Sequence, residues 1–140
     1  MSDSIKLQYT VSADDFTRAG EASSSVKAKL KKMGIAPEAV RKVAIAMYEG
    51  EINMVIHAEG GTIDVIISSE RIEMILKDKG PGIKDIDLAM QEGYSTAPDN
   101  IRSLGFGAGM GLPNMKKYSD TFHIDTVLGV GTTVYMTVNL

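Results

Sequence analysis

No cysteine occurs among the 140 residues, which removes disulfides, thiolate zinc sites and thiol nucleophiles and fits a reducing compartment. Histidine is nearly as scarce, since His57 and His123 alone are too few for a histidine metal cluster. Basic charge is not in excess either. Lys and Arg number 15 against 18 Asp and Glu, a net charge of -3 with an isoelectric point near 5.3, so no electrostatic stripe for nucleic acid is expected. No apolar run approaches the roughly 20 residues that cross a bilayer, and residues 1–12 lack the basic start and apolar stretch of an export signal. These absences predict a soluble cytoplasmic protein with no direct nucleic-acid partner and no membrane partner. What is present is 44% hydrophobic residues in a chain of one-domain size, enough for one core, so 1–140 is read as a single domain. There is no internal repeat, low-complexity tract or linker.

Ile5, Leu7, Tyr9 and Val11 alternate with polar residues, the period of a half-buried strand. Ser12 or Asp14 is then a candidate cap for a helix running to Met33, with Gly34 as its stop. Its basic end, Lys27 to Lys32, suits the helix dipole. The small residues Ser23–Ser25 would permit close packing against another helix, including one from a second copy in a homodimer. A second helix is expected from Pro37 to about Ala58, followed by strands 62–68 and 71–78 joined by a tight Ser69-Glu70 turn. A short helix is expected at 84–92, a functional lid at 93–108, a helix at 109–119, and a closing hairpin of strands 121–127 and 132–139. This order predicts an α+β two-layer sandwich, helices on one face of a mainly antiparallel sheet.

Glu49, Asn53 and His57 stand at four-residue spacing on the second helix and so share one side of it. Read alone, that stripe could be a solvated face. Read chemically, Asn53 offers an oxygen to a hydrated Mg²⁺ and Glu49 stands where it could polarise an attacking hydroxyl or water. His57 is read as a helix-end residue bonding a carbonyl. Asp78 has the parity of Ile72, Met74 and Leu76, so it faces the helices and needs a specific donor, for which an adenine amino group is a candidate. Gly80 and Gly82 would let the backbone approach such a ring. The competing reading is a strand-terminal Asp opening a Gly-Pro-Gly turn. Thr132 shares the parity of Val134, Met136 and Val138 and can meet the same base. Gly105, Gly107, Gly109 and Gly111 recur at every second position and match neither a P-loop nor a dinucleotide fingerprint. They form a side-chain-poor loop leading into a helix at Leu112, whose N-terminus favours phosphate. Arg102, Lys116 and Lys117 are the nearby positive charges, and Arg102 could reach a γ-phosphate. The nine methionines read as gap fillers in the core.

In combination these segments resemble the GHKL superfamily of ATPases. Glu49-x-x-x-Asn53-x-x-x-His57-Ala58 looks like its N box, Asp78-Lys-Gly80-Pro-Gly82-Ile83 like its first glycine box, and Gly105–Leu112 like its second. Gly129-Val-Gly131-Thr132-Thr133-Val134 matches its closing Gly-x-Gly-Thr pattern. The resemblance spans about residues 40–138 and implies the Bergerat ATP-binding fold. The short span from Gly82 to Gly105 and the lid-like Gln91-Glu-Gly-Tyr94-Ser95-Thr96 are most similar to the small anti-sigma-type serine/threonine kinases. Carried over, the resemblance implies ATP and Mg²⁺ as cofactors, with Glu49 as catalytic base and Asn53 as the metal ligand. Asp78 would then read adenine beside Gly80, Gly82 and Thr132. Gly105, Gly107, Gly109, Met110, Gly111 and Leu112 would line the phosphates, with Arg102 near them. The implied partner is an antagonist protein domain carrying a phosphorylatable serine, with a sigma factor, a scaffold or a phosphatase as further partners. Two other readings stay open: a nucleotide-gated binding module without kinase activity, and a detached histidine-kinase catalytic domain.

Overall fold

The computed structural model of the chain describes residues 4–12, 18–57, 60–83, 86, 90 and 111–140. Five strands form one sheet: β1 (Ile5–Val11), β2 (Gly61–Ile67), β3 (Arg71–Asp78), β4 (Thr121–Val127) and β5 (Gly131–Asn139), in the order β1-β2-β3-β5-β4. Every neighbouring pair is antiparallel. Three helices complete the described elements, α1 (Glu21–Lys32), α2 (Pro37–His57) and α3 (Gly111–Lys117). Alternate residues of the inner strands, such as Ile63, Val65 and Ile67 on β2 and Ile72, Met74 and Leu76 on β3, are buried. They share one core with Val26, Leu30, Val43, Met47, Val55 and Met115 from the helices. The expected α+β two-layer sandwich is the observed fold, and strand bounds agree with the sequence reading to within one residue.

Local chemistry explains most boundaries. Pro37 opens α2, where a missing N–H costs nothing. The β2–β3 turn is held by Ser68, whose Oγ accepts from the Glu70 and Arg71 main-chain N–H groups at 3.3 and 3.2 Å. The expected helix at 84–92 falls largely outside the described residues, within which Met90 N–H donates to the Ile86 carbonyl at 2.9 Å. The expected lid at 93–108 lies wholly outside them. No helix among the described residues is long and apolar enough to cross a membrane.

The start of α1 requires a correction. Asp14 lies outside the described residues, and Ser12 is not the cap, because the chain turns at residues 18–20 before the helix begins at Glu21. Gly20 stands at the N-cap with φ +91°, a conformation that favours glycine. The acceptor for the helix's free N–H groups comes from another helix. Glu51 of α2, only 3% exposed, accepts at Oε2 from Gly20 and Ala22 N–H, both 3.1 Å, and at Oε1 from Ser23 N–H at 3.0 Å. A carboxylate at the positive end of a helix dipole is favourable, and three charge-assisted bonds compensate its burial. Within the chain the small Ser23 is buried against Glu51 of α2, while the Ser25 hydroxyl meets that of Tyr9 on β1 at 3.0 Å.

Glu51→Ala should therefore lower the unfolding free energy by about 3 kcal/mol, since it strands buried N–H groups as well as removing bonds to a charge. Urea unfolding of the two proteins checks this, and a loss no larger than that of an ordinary surface substitution would show that the clamp is not needed.

Candidate functional site

The stripe predicted on α2 meets α3 along a seam. Gly111, the first residue of α3, lies so close to Asn53 that an added Cβ would stand 3.0 Å from its Oδ1 and 3.1 Å from its Nδ2. One turn on, Asn114 Nδ2 donates to Glu49 Oε1 at 3.4 Å. Leu112 and Met115 anchor α3 in the core, so Leu112 can offer a ligand its main chain but not its side chain. Beneath the seam Gly50 has no room for a methyl group, which would run into Leu76 and approach Met115 Sδ to 3.3 Å. Glu49 and Asn53 are half-buried. Burial pushes the Glu49 carboxyl above its ordinary value of 4.5, and the Asn114 bond offsets part of that rise.

A second cluster forms where β3 ends. Asp78 Oδ1 accepts from Gly80 N–H at 2.9 Å and from Thr132 N–H at 3.0 Å. Both bonds fall on the same oxygen, which leaves Oδ2 for another donor. The buried Thr132 hydroxyl pairs with that of Thr126 at 3.0 Å, and Thr126 Oγ1 also accepts from Ile83 N–H at 2.8 Å. Gly82, at φ +83°, sits against the β4–β5 hairpin, where a Cβ would come within 2.8 Å of the Val127 carbonyl oxygen. Gly129 N–H closes the same contact by donating to the Pro81 carbonyl at 2.8 Å. Gly131 leaves no space for a Cβ against the Asp78 carbonyl.

The two clusters share the C-terminal half of α2. Gly61, paired with Asp78 in the β2–β3 register, lies under Met54, the neighbour of Asn53, so closely that an added Cβ would stand 2.7 Å from Met54 Cε. Thus Glu49, Asn53, Gly111 and Leu112 stand along the α2–α3 seam, and Asp78, Gly80, Gly82 and Thr132 at the adjacent strand end. Arg102, Gly105, Gly107, Gly109 and Met110 lie outside the described residues, as does the His57 side chain. Lys116 and Lys117 occupy the last turn of α3, away from Gly111. Among the described residues no three His, Asp or Glu side chains converge as a metal site.

Asn114 and Thr126 are absent from the sequence reading. Thr126 could have been found once the hairpin register was drawn, because it pairs directly with Thr132. Asn114 has no local signal, for its role depends on how α3 lies against α2.

The histidine kinase-like ATPase domain family matches residues 12–138. Serine/threonine-protein kinase RsbT of Bacillus subtilis (strain 168) is 31% identical over 108 residues, covering 74% of this chain and 75% of that protein. The anti-sigma F factor of Thermoanaerobacter sp. (strain X514) is 35% identical over 100 residues, 71% of this chain and 62% of that protein. The anti-sigma F factor of Oceanobacillus iheyensis is 31% identical over 106 residues, 76% of this chain and 66% of that protein. The matched region thus spans slightly under two thirds of these two anti-sigma F factors.

A carboxyl whose folded-state pKa is raised destabilises the fold once ionised. The penalty is absent below the unfolded value near 4.5 and complete above the raised folded value. Glu49→Gln should therefore be more stable than the parent at pH 7, with the advantage shrinking as the pH falls through the raised folded value towards 4.5 and absent below it. Thermal unfolding across that range tests the sign; a gain independent of pH would show that ionisation of Glu49 is not its source.

Proposed function

The chain belongs to the family of histidine kinase-like ATPase domains, and from that premise we propose that it is an ATP-dependent serine/threonine-protein kinase acting on a serine of an antagonist protein domain. The observation that carries the reading is the convergence of Glu49, Asn53 and Gly111 on one helix seam. The names of its relatives, a serine/threonine-protein kinase and anti-sigma F factors, support the same class.

The residues suit a nucleotide with its metal. Absence of a Cβ at Gly111 avoids crowding the Asn53 amide, and an amide oxygen is a fitting single protein ligand for Mg²⁺, which keeps most of its waters. When bound, the metal would neutralise charge on the phosphate oxygens. Asp78 Oδ2 would accept from the adenine amino group, with Thr132 beside it and the 80–82 backbone against the ring. Gly105, Gly107, Gly109, Met110, Gly111 and the Leu112 main chain would line the phosphates, with Arg102 meeting the γ-phosphate. In the transfer the serine Oγ forms a bond to the γ-phosphorus, the bond to the bridging oxygen breaks, and ADP leaves. Glu49 takes the serine proton. Its half-burial favours this role, because a carboxylate with a raised pKa is a stronger base. Positioning and charge supply most of the remaining acceleration.

Transfer from radiolabelled ATP to a purified antagonist domain tests the assignment. Glu49→Gln should cut the transfer rate by about 10²–10⁴-fold with ATP affinity retained, the usual contribution of a general base. Asn53→Ala should remove the Mg²⁺ dependence of ATP binding, and Asp78→Asn should weaken binding with or without Mg²⁺. The phosphate should be acid-stable and base-labile. An acid-labile product would identify histidine transfer instead, and ATP binding without transfer to any candidate would identify a nucleotide-gated binding module.

A further inference from the structure

The helix seam continues beyond Glu49 into a basic end that the phosphotransfer reading does not use. Arg41, Ile45, Glu49 and Asn53 follow one another at four-residue spacing and form one stripe of α2. α3 runs antiparallel beside it. Gly111 lies against Asn53 and Asn114 against Glu49. Tyr118, just past the end of α3, lies against Arg41, whose guanidinium carbon is 5.5 Å from the ring centroid. Lys117 Nζ stands 5.4 Å from the same ring. Arg41, Lys116 and Lys117 are exposed, and among the described residues none of them belongs to an ion pair. The neighbouring Lys42, by contrast, is matched by Asp120 at 3.6 Å. Among the described residues two unmatched cations, Arg41 and Lys117, therefore crown one end of the seam around Tyr118 in a chain of net charge -3, with the partly exposed Ile45 between them and Glu49.

We propose that this stripe is the docking surface for the substrate segment that flanks the phosphoacceptor serine, and that the segment carries an apolar residue and then acidic ones. The proposal rests on the kinase reading only in placing the serine at Glu49. Along α2, Arg41 is about 12 Å and Ile45 about 6 Å from Glu49. An extended chain advances about 3.3 Å per residue and turns every second side chain to the same face. With the serine at Glu49, the second residue from it meets Ile45 and the fourth meets Arg41. An arginine already stacked on an aromatic ring gives up little further freedom on binding a carboxylate. An acidic protein segment fits better than nucleic acid, because the cations form a short cluster in an acidic chain and not a track that follows a phosphate backbone.

The test is an amide-resolved NMR titration of the ¹⁵N-labelled full chain with a short peptide. Its serine is followed by leucine at the second position and glutamate at the fourth and fifth; a control peptide has lysine in place of both glutamates. Shifts should concentrate in residues 41–49 and 114–118. Affinity should be about three- to tenfold weaker for the lysine peptide, or for Arg41→Glu with the glutamate peptide, as one or two exposed ion pairs allow. Arg41→Glu should recover binding to the lysine peptide and leave the response to Mg²⁺-ATP unchanged. Shifts elsewhere, equal affinity for the two peptides, or equally strong competition by a single-stranded oligonucleotide would overturn the proposal. A Mg²⁺-ATP titration that leaves Asn53, Asp78 and Gly111 unmoved would refute the nucleotide reading separately.

Discussion

The depth at which α2 settles on the sheet governs where every other group falls, and Gly50 sets that depth. Glycine inside a helix costs about 1 kcal/mol relative to alanine. Here any larger residue would collide with Leu76 of β3 and crowd Met115 of α3. The concession in helix propensity is offset by packing, because Met47, Val43, Met54 and Val55 of the same helix are all buried with it. Fixing α2 at that height brings α3 within reach of one flank and α1 within reach of the other. The seam with α3 then holds the candidate chemistry, and the contact with α1 holds the helix layer together.

The two residues flanking Gly50 show how environment divides the work of one side-chain type. Glu51 points to the start of α1 and has both oxygens engaged by three main-chain N–H groups at close range. It is a structural anion with little capacity left for a ligand. Glu49 points to the seam with α3, is half-buried, and has one long bond from Asn114. Burial raises its proton affinity without locking its oxygens into the scaffold. Two carboxylates on one helix are thus separated into a cap and a candidate base by which neighbours can supply donors.

Periodic features were legible in the sequence. The parity that turned Asp78 and Thr132 inward was set by the apolar residues on their own strands, and Pro37 marked the start of α2 because its constraint is local. Four-residue spacing placed Glu49 and Asn53 together for the same reason. The start of α1 was not legible, since Ser12 and Asp14 have the look of caps while the true acceptor, Glu51, arrives from the next helix along the chain. Gly50 reads as a weak point in a helix until Leu76 is seen beneath it. Thr126 and Asn114 likewise depend on strand register and helix placement, which no local pattern encodes. The alternating glycines carried the resemblance, yet Gly111 is the one whose contact is described, and its neighbour is Asn53.

The two halves of the site are built on different elements with different constraints. The Asp78 end is a network tying the close of β3 to the β4–β5 hairpin through Gly80, Pro81, Ile83, Thr126, Gly129 and Thr132, with main-chain donors at almost every step. Such a network is stiff because its groups cannot move singly without stranding a partner. The other half depends on α3, seven residues long, held by Leu112 and Met115 in the core and by Asn114 on Glu49. A rod of that length spans about 10 Å. A shift of α3 along α2 would therefore move Gly111 against Asn53 and Tyr118 against Arg41 together. A ligand reaching from the stiff strand end to Gly111 would fix the position of the short helix, and with it the spacing between Glu49 and the cations around Tyr118. If the seam and the strand end hold a nucleotide as proposed, its occupancy and the presentation of the cations around Tyr118 would be joined through this one helix.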